Sequence, residues 1–257
     1  MTMVDYKLEE HLAIITMQRP EKKNALNEDM LNDLNAVWTR FKNDEDAWIA
    51  IFSGAGNVFC SGADKSYIAR STEGEDFWNG FLNLTQKIPY MTGTVGKPTI
   101  SAINGSCFGG GVGLALSADF RIMAEGSILR MPEPDFGGVL LQWETGVPAP
   151  ILKQLNVGIP LTAERAFQVG LLNEICPAEN VLDTAIEWGR KLLMKPPLAI
   201  RKVIQVSRML FSQSNPMDAY SLLDYCTQLG NMLAKTEDGA EAMQAFLEKK
   251  VPNYKAK

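Results

Sequence analysis

A glycine triplet at the start of a predicted helix is the feature of the sequence that most directly suggests chemistry. Gly109-Gly110-Gly111 follows a β-rich run, Thr99–Ile103, and precedes the helix-forming residues Leu114-Ala115-Leu116. Glycines allow a ligand to approach the backbone, and the first amides of a helix lack intrahelical partners at the positive end of its dipole. This turn could bind a phosphate or stabilise a carbonyl oxygen that becomes negative during a reaction. The alternative is a turn that simply packs tightly against a neighbouring strand.

A second glycine-containing turn follows an earlier predicted strand. Residues 48–52 form a short apolar run, and residues 59–64 read Phe-Cys-Ser-Gly-Ala-Asp. Two such turns in one chain would offer two sets of backbone amides, although an ordinary β-turn accounts for the second as well.

The elements predicted around these turns alternate between strands and helices, which is typical of an α/β core. A strand hairpin over residues 4–8 and 11–17 has Glu9-Glu10 at its turn, and Asn27-Glu28-Asp29 begins an amphipathic helix. Further elements are expected over residues 48–52, 99–103, 119–124 and 127–131 as strands or extended segments, and over residues 76–91 as a helix.

The last third of the chain is predicted to contain only helices, over residues 178–194, 198–211, 216–233 and 238–249. Lys195-Pro196-Pro197 is the best candidate boundary. It divides the chain into an α/β core, residues 1–195, and a helical oligomerisation region, residues 196–257. Apolar positions of these helices would need a partner surface: Val203, Val206, Met209, Leu210, Leu222 and Leu223.

Composition excludes several classes of function. Hydrophobic residues make up 46% of the 257 residues, and the net charge of −5 argues against a nucleic-acid partner. The most apolar stretch, residues 102–118, is broken by five glycines and Asn104, so we expect no membrane partner. The N-terminus is acidic and the four cysteines lack CxxC spacing, which favours a cytoplasmic protein with reduced thiols. With His11 as the single histidine, we expect no metal site or histidine-based triad.

The order and spacing of several motifs resemble the crotonase superfamily, which comprises enoyl-CoA hydratases and isomerases. The resemblance extends over about residues 7–254. The motifs are Arg19-Pro20, Asn24-Ala25-Leu26, residues 59–64, the glycine triplet, Pro132-Glu133, Gly170-Leu171-Leu172 and Phe246-Leu247-Glu248-Lys249. The resemblance implies an α/β fold with a core that is a spiral of ββα turns. It also implies C-terminal helices that mediate a homotrimer, and trimers that often pair into hexamers.

The resemblance also implies how the two turns act. The amides of Ala63 and Gly110, in turns that include Gly62 and Gly109, would polarise a thioester carbonyl as an oxyanion hole. Glu133 would be the general acid/base, because family hydratases and isomerases keep a catalytic glutamate at this position. A carboxylate in an apolar cleft has a raised pKa, which suits proton transfer.

The sequence departs from the hydratase pattern at Gly113, where those enzymes carry a second glutamate. Hydration profits from two carboxylates, whereas moving a double bond needs only one base, so we predict an isomerase rather than a hydratase. The apolar pair Leu140-Leu141 stands where related enzymes place another acid. Glu144, one helical turn later, is a further catalytic candidate, though it could equally face solvent.

The resemblance implies an acyl-CoA thioester as substrate and no other cofactor. The expected substrate contacts are Lys23, Asn24, Ala25, Leu26, Gly62, Asp64, Lys65, Gly109, Phe246 and Lys249. Among them, Lys23 and Lys65 would meet the phosphates, and the helix carrying Phe246 could serve a neighbouring subunit. Aromatic residues that could line an acyl pocket, or belong to the core, are Tyr67, Trp78, Phe81 and Trp143.

Other functions stay open at this point. A hydratase that uses Glu133 is the second interpretation, and the same scaffold hosts decarboxylation, dehalogenation and thioester hydrolysis. A non-catalytic acyl-CoA binding protein is also possible. A dinucleotide-dependent oxidoreductase is disfavoured, because the segment after Gly111 lacks the third small residue at the required spacing.

Overall fold

Two β-sheets form the framework of the computed structural model, which describes residues 2–65, 83–136, 148–211 and 219–257. The strands of the larger sheet are β1 (Val4–Glu9), β2 (Leu12–Met17), β3 (Ile49–Gly54), β5 (Thr99–Ile103), β7 (Phe120–Ala124) and β10 (Glu174–Cys176). They lie in the order β1-β2-β3-β5-β7-β10. Only β1 and β2 pair antiparallel, as the predicted hairpin, and the other neighbours are parallel.

The smaller sheet contains four short strands, β4 (Val58–Cys60), β6 (Ser106–Phe108), β8 (Ile128–Arg130) and β9 (Leu161–Thr162). Their order in the sheet is β4-β6-β8-β9. Strands β4, β6 and β8 run parallel, so their carboxyl ends lie at one edge of the sheet. The two glycine-containing turns follow β4 and β6, and Glu133 follows β8, which explains why these three sequence features come together.

Successive strands alternate between the sheets. The pairs β3–β4, β5–β6 and β7–β8 each place one strand in the larger sheet and the next in the smaller sheet. A helix, α2 (Gly110–Leu116), follows the second pair. This repetition is the expected spiral of ββα turns. Strand β6 was not expected, because three residues between Asn104-Gly105 and the glycine triplet are too few to show a periodicity.

Helix α1 (Glu28–Asn43) begins where the sequence predicts, because the Asn27 side chain accepts a hydrogen bond from the Met30 amide at 2.9 Å. Its apolar stripe is buried in the main hydrophobic core, together with residues of both sheets. Trp38 of this stripe stacks on Tyr90 with ring centroids 4.1 Å apart. The apolar stripe therefore anchors the helix in the core that the two sheets share.

The patterns above assign no element to residues 148–176, where the structure has α3 (Ala149–Asn156), β9, α4 (Ala163–Gln168) and β10. Each of these elements is eight residues or shorter, so a hydrophobic period is not readable in any of them. Of the helix predicted over residues 76–91, the structure describes residues 83–91. Residues 83–85 are helical, and turns follow them.

The C-terminal region is helical, as predicted, with α5 (Val181–Leu193), α6 (Pro197–Phe211), α7 (Ala219–Leu233) and α8 (Glu237–Glu248). Val203 is 64% exposed, in keeping with a surface that lacks a partner. Val206 is a correction, since it is 8% exposed and is buried within its own chain. The side chains of Leu210, Leu222 and Leu223 lie outside the described residues. No helix in the described ranges is both long enough and apolar enough to cross a membrane.

Candidate active site

The two glycine-containing turns touch each other at Gly62. A Cβ atom on Gly62 would lie 2.6 Å from the Phe108 carbonyl oxygen and 3.6 Å from the Gly110 nitrogen. Gly62 also has a φ of +84°, which is unfavourable for other residues. The close approach of the two backbones and the positive φ therefore both require glycine at this position. It brings the segment that carries Ala63 beside the start of α2.

Helix α2 begins directly after Gly109, which has a φ of +49°. The Gly109 amide donates to the carbonyl of Arg130 at 2.9 Å, and the Val112 amide donates back to the Gly109 carbonyl at 2.9 Å. Gly110 occupies the first position of the helix, where an amide has no intrahelical acceptor. It lies beside the other turn, and its donation to a substrate oxygen stays a prediction.

The Ala63 segment is held by a parallel bridge to Leu26. The Leu26 amide donates to the Gly62 carbonyl at 2.8 Å, and the Asp64 amide donates to the Leu26 carbonyl at 2.9 Å. These two hydrogen bonds use the Gly62 carbonyl and the Asp64 amide. Neither of them uses the Ala63 amide, which lies between these groups. The bridge therefore fixes the segment and leaves the predicted donor outside this pairing.

Glu133 lies against the Gly109 turn. It begins a short 3-10 helix, Glu133–Phe136, and is 6% exposed. A Cβ atom on Gly109 would overlap the Glu133 Oε1 atom and would lie 3.3 Å from its Cδ. The structure thus brings the predicted acid/base next to one of the predicted oxyanion turns.

The Glu133 carboxyl group is buried without full hydrogen bonding. Its Oε2 atom has no hydrogen-bond partner within the described part of the chain. Burial raises the pKa of this carboxyl group, because removal from water penalises its charged form. A carboxylate that is poorly solvated and has an elevated pKa is suited to taking a proton from a substrate and returning it.

Arg19, which the sequence presents only as part of a motif, supports the turn that carries Ala63. Its Nη1 donates to Asp64 Oδ2 at 2.5 Å and to the Ala25 carbonyl at 3.1 Å. Both members of this ion pair are largely buried, with 15% and 11% of their side chains exposed. Asp64, predicted as a substrate contact, therefore also anchors the Ala63 segment to its neighbour. The spacing of Arg19 and Asp64 along the chain offered no signal for this contact.

The side chain of Asn24, a predicted substrate contact, is bonded within the protein. Its side chain is fully buried, and Nδ2 faces the carbonyls of Ala55 at 2.9 Å and Val58 at 3.0 Å. Its Oδ1 accepts from the Arg19 amide at 3.0 Å. The side chain is thus committed to the protein interior. Ala25 and Leu26 are buried as well, so this segment could meet a ligand only through backbone atoms.

The remaining predicted contacts are accessible. Lys23 and Lys65 are exposed, Phe246 is 79% exposed, and Lys249 ends α8. Their contact with CoA stays a prediction. Glu144 lies outside the described residues, as do Leu140, Leu141 and the predicted pocket aromatics Tyr67, Trp78, Phe81 and Trp143.

The sequence matches the enoyl-CoA hydratase/isomerase family over residues 7–257. This chain belongs to that family. It is similar to carnitinyl-CoA dehydratase of Proteus mirabilis, at 32% identity over 95% of this chain and 94% of that protein. It is also similar to crotonyl-CoA hydratase of Syntrophomonas wolfei, at 30% identity over 97% of this chain and 96% of that protein.

Solved structures of enoyl-CoA hydratases share the fold. The enoyl-CoA hydratase of Bacillus anthracis matches with a TM-score of 0.88 and 26% identity, over 99% of this chain and 100% of that chain. The crotonase-like α/β fold is thereby confirmed, and the protein is an enzyme of the enoyl-CoA hydratase/isomerase family. Family membership does not distinguish isomerisation from hydration.

Proposed function

We propose that this enzyme moves the carbon-carbon double bond of an enoyl-CoA thioester from the 3,4 to the 2,3 position. The observation that carries the proposal is the buried Glu133 carboxyl group, with its Oε2 unpaired among the described groups, in contact with the Gly109 turn. The amides of Ala63 and Gly110 form the oxyanion hole. Glu133 is the base and then the acid.

The reaction begins with the thioester oxygen between the two amides. Glu133 removes a proton from C2, the C2–H electron pair moves toward the carbonyl, and a dienolate forms with its negative charge on the oxygen. Preorganised backbone donors stabilise such an oxyanion by about 3–4 kcal/mol per donor. Protonated Glu133 then delivers its proton to C4, and the double bond re-forms between C2 and C3. No atom is gained or lost.

The single carboxylate favours isomerisation. The same group can remove and return one proton, whereas hydration needs a water molecule to be activated as well. Gly113 replaces the second glutamate of the hydratases, and its carbonyl accepts a hydrogen bond from the Ser117 hydroxyl at 2.7 Å. The helix face that carries a carboxylate in hydratases thus has no side chain at this residue.

We also propose that the CoA moiety is part of the substrate and that no further cofactor takes part. Lys23 and Lys65 would contact the phosphates, since ammonium groups bind them as point charges. Phe246 and Lys249 would contact CoA from α8, within one subunit or across a homotrimer.

Hydration is the second candidate. It is favoured by the names of the relatives, which include a crotonyl-CoA hydratase and a carnitinyl-CoA dehydratase. Glu133 would then work with a partner other than residue 113, and Glu144 is the residue to examine.

Incubation with a panel of matched 2-enoyl-CoA and 3-enoyl-CoA esters tests the proposal. Isomerisation leaves the mass of the ester unchanged and shifts its chromatographic position, whereas hydration adds the mass of one water. Conversion of 3-enoyl-CoA to 2-enoyl-CoA without water addition is the expected result. Hydration of 2-enoyl-CoA with no shift of a 3-enoyl double bond would overturn the isomerase assignment in favour of the second candidate.

A further inference from the structure

Arg130, the last residue of β8, contacts both halves of the proposed catalytic machinery. Its carbonyl accepts the Gly109 amide at 2.9 Å, which holds the turn that precedes Gly110. Its side chain contacts the segment that carries Glu133, where the Arg130 Nη2 donates to Asp135 Oδ2 at 2.5 Å. Asp135 lies in the short 3-10 helix that begins with Glu133. One residue thus connects the oxyanion turn with the element that carries the base.

The 3-10 helix has little backbone bonding of its own. It is four residues long, and 3-10 hydrogen bonds have poorer geometry than those of an α-helix. Pro132 and Pro134 lack N–H groups, so the chain on both sides of Glu133 has no amide donor. The Asp135 amide donates to the Pro132 carbonyl at 3.0 Å. Side-chain contacts are therefore needed to hold the orientation of this segment.

A third contact, with the loop at Gly158, positions the guanidinium group of Arg130. Its Nε donates to the Gly158 carbonyl at 3.0 Å, in the loop between α3 and β9. Gly158 has a φ of +86°, and a Cβ atom there would lie 3.1 Å from the Met131 carbonyl and 3.6 Å from Asp135 Oδ1. The loop therefore packs on the same segment. Because a guanidinium presents several donors in a fixed plane, it can hold both partners in a way that an ammonium group cannot.

We infer that Arg130 is a positioning residue, which fixes the Glu133 carboxylate against the Gly109 turn through Asp135. The inference rests on the proposed role of Glu133 as acid/base. Arg130 does not contact the reacting atoms. With 33% and 53% of the two side chains exposed, the Arg130–Asp135 pair contributes little to global stability. Loss of the pair should then appear in the rate of proton transfer and not in the stability of the fold.

The test compares Arg130→Gln, Arg130→Lys, Asp135→Ala and the double variant Arg130→Gln/Asp135→Ala. We expect Arg130→Gln and Asp135→Ala to lower kcat about tenfold each, with KM nearly unchanged, since a small displacement of a reacting group lowers the rate steeply. The double variant should be no slower than Arg130→Gln, because Arg130→Gln already removes the contact with Asp135. Arg130→Lys should recover part of kcat. If Arg130→Gln does not fold, Asp135→Ala removes the same contact from the other side.

The matched control is Arg190→Gln, which breaks an exposed ion pair with Glu10 on a different part of the surface. A kcat for Arg130→Gln and Asp135→Ala equal to that of this control would overturn the inference, as would strictly multiplicative losses in the double variant. Glu133→Gln is measured in parallel. If it retains full turnover, the proposed function fails; if it is inactive while the Arg130 and Asp135 variants match the control, only the positioning role fails.

Discussion

At the scale of single residues, the environment of Glu133 decides how its activity depends on pH. Burial raises the pKa of this carboxyl group above the ordinary value for glutamate of about 4.3. Proton removal from C2 requires the deprotonated form. We therefore expect kcat/KM to fall on acidification through a pKa higher than that ordinary value. A pH–rate profile with 3-enoyl-CoA measures it, and an acid limb at or below about pH 4.3 in a stable enzyme would contradict the prediction.

The same burial predicts opposite effects of Glu133→Gln on activity and on stability. Glutamine keeps the size of the side chain but cannot take a proton, so turnover should fall at least about a hundredfold. A carboxyl group with a raised pKa in the folded state stabilises the fold only while protonated, and this contribution is lost as the pH rises through the folded pKa. At neutral pH the variant should consequently be more stable, by up to about 1 kcal/mol.

Turnover and urea unfolding at pH 7 and at low pH measure both effects. The stability difference should shrink as the pH falls, because the parent enzyme then holds its proton too. Glu187→Gln, an exposed glutamate on α5, is the matched control and should change neither quantity. Glu144→Gln should have a much smaller effect on turnover than Glu133→Gln. An inactive Glu144→Gln beside a fully active Glu133→Gln would assign the base to Glu144.

At the scale of elements, the requirement for glycine at Gly62 can be separated into two parts. Gly62→Ala adds a methyl group in a left-handed conformation and also places it against the Phe108 carbonyl. Gly170→Ala is the matched control, because Gly170 has a φ of +80° and no described atom lies within 4 Å of the position that its Cβ would take. The conformational penalty is about 1 kcal/mol at both positions. The clash costs a further ~1–3 kcal/mol at Gly62 alone.

Chemical unfolding of the two variants gives this difference directly, and turnover gives its functional counterpart. Gly62→Ala should also lose activity, since the methyl group pushes the Ala63 and Gly110 turns apart. Gly170→Ala should keep its kcat. Equal stabilities of the two variants would show that the turns are not in close contact in solution.

The limits of prediction from sequence are also visible at this scale. The glycine turns could be predicted because a close approach of two backbones requires glycine, and glycine is visible in the sequence. The role of Asn24 could not be, since its partners, such as the Val58 carbonyl, are backbone groups remote in sequence. Arg130 and Asp135 are only five residues apart, so a contact between them is local in sequence. Its proposed role also depends on the hydrogen bond from the Gly109 amide to the Arg130 carbonyl, which forms because β6 and β8 are neighbours in the sheet.

At the scale of the whole molecule, motif order predicted the fold better than periodicity did. Strands of two to six residues carry little periodic signal. The sheet order β1-β2-β3-β5-β7-β10 is produced by non-local pairing, which no local pattern encodes. The resemblance supplied the spiral because it relates the chain as a whole to known folds. The boundary at residue 195 stays a prediction, although α5 ends near it and α6 begins just after it.

Exposed apolar residues of α8 support the prediction that the protein forms a trimer or hexamer. Four apolar residues in its second half and just beyond it are largely exposed: Met243 at 62%, Phe246 at 79%, Leu247 at 71% and Val251 at 74%. Exposure of such an apolar cluster to water is energetically unfavourable, and clusters of this kind are typical of an interface between subunits. Light scattering at micromolar concentration should give the mass of a trimer or hexamer of the 28.4 kDa chain.

Met243 and Leu247 are four residues apart and so lie on one face of α8, which allows a direct test of that interface. The double variant Met243→Lys/Leu247→Lys places two like charges in the apolar cluster, and it should shift the mass toward the monomer. Gln244→Lys is the control, because this exposed residue can pair with Glu248 one turn later and leaves the apolar face intact. A monomeric parent enzyme would contradict the prediction outright. An assembled double variant would place the subunit contact on other helices of the C-terminal region, where the exposed Val203 of α6 is the next residue to change.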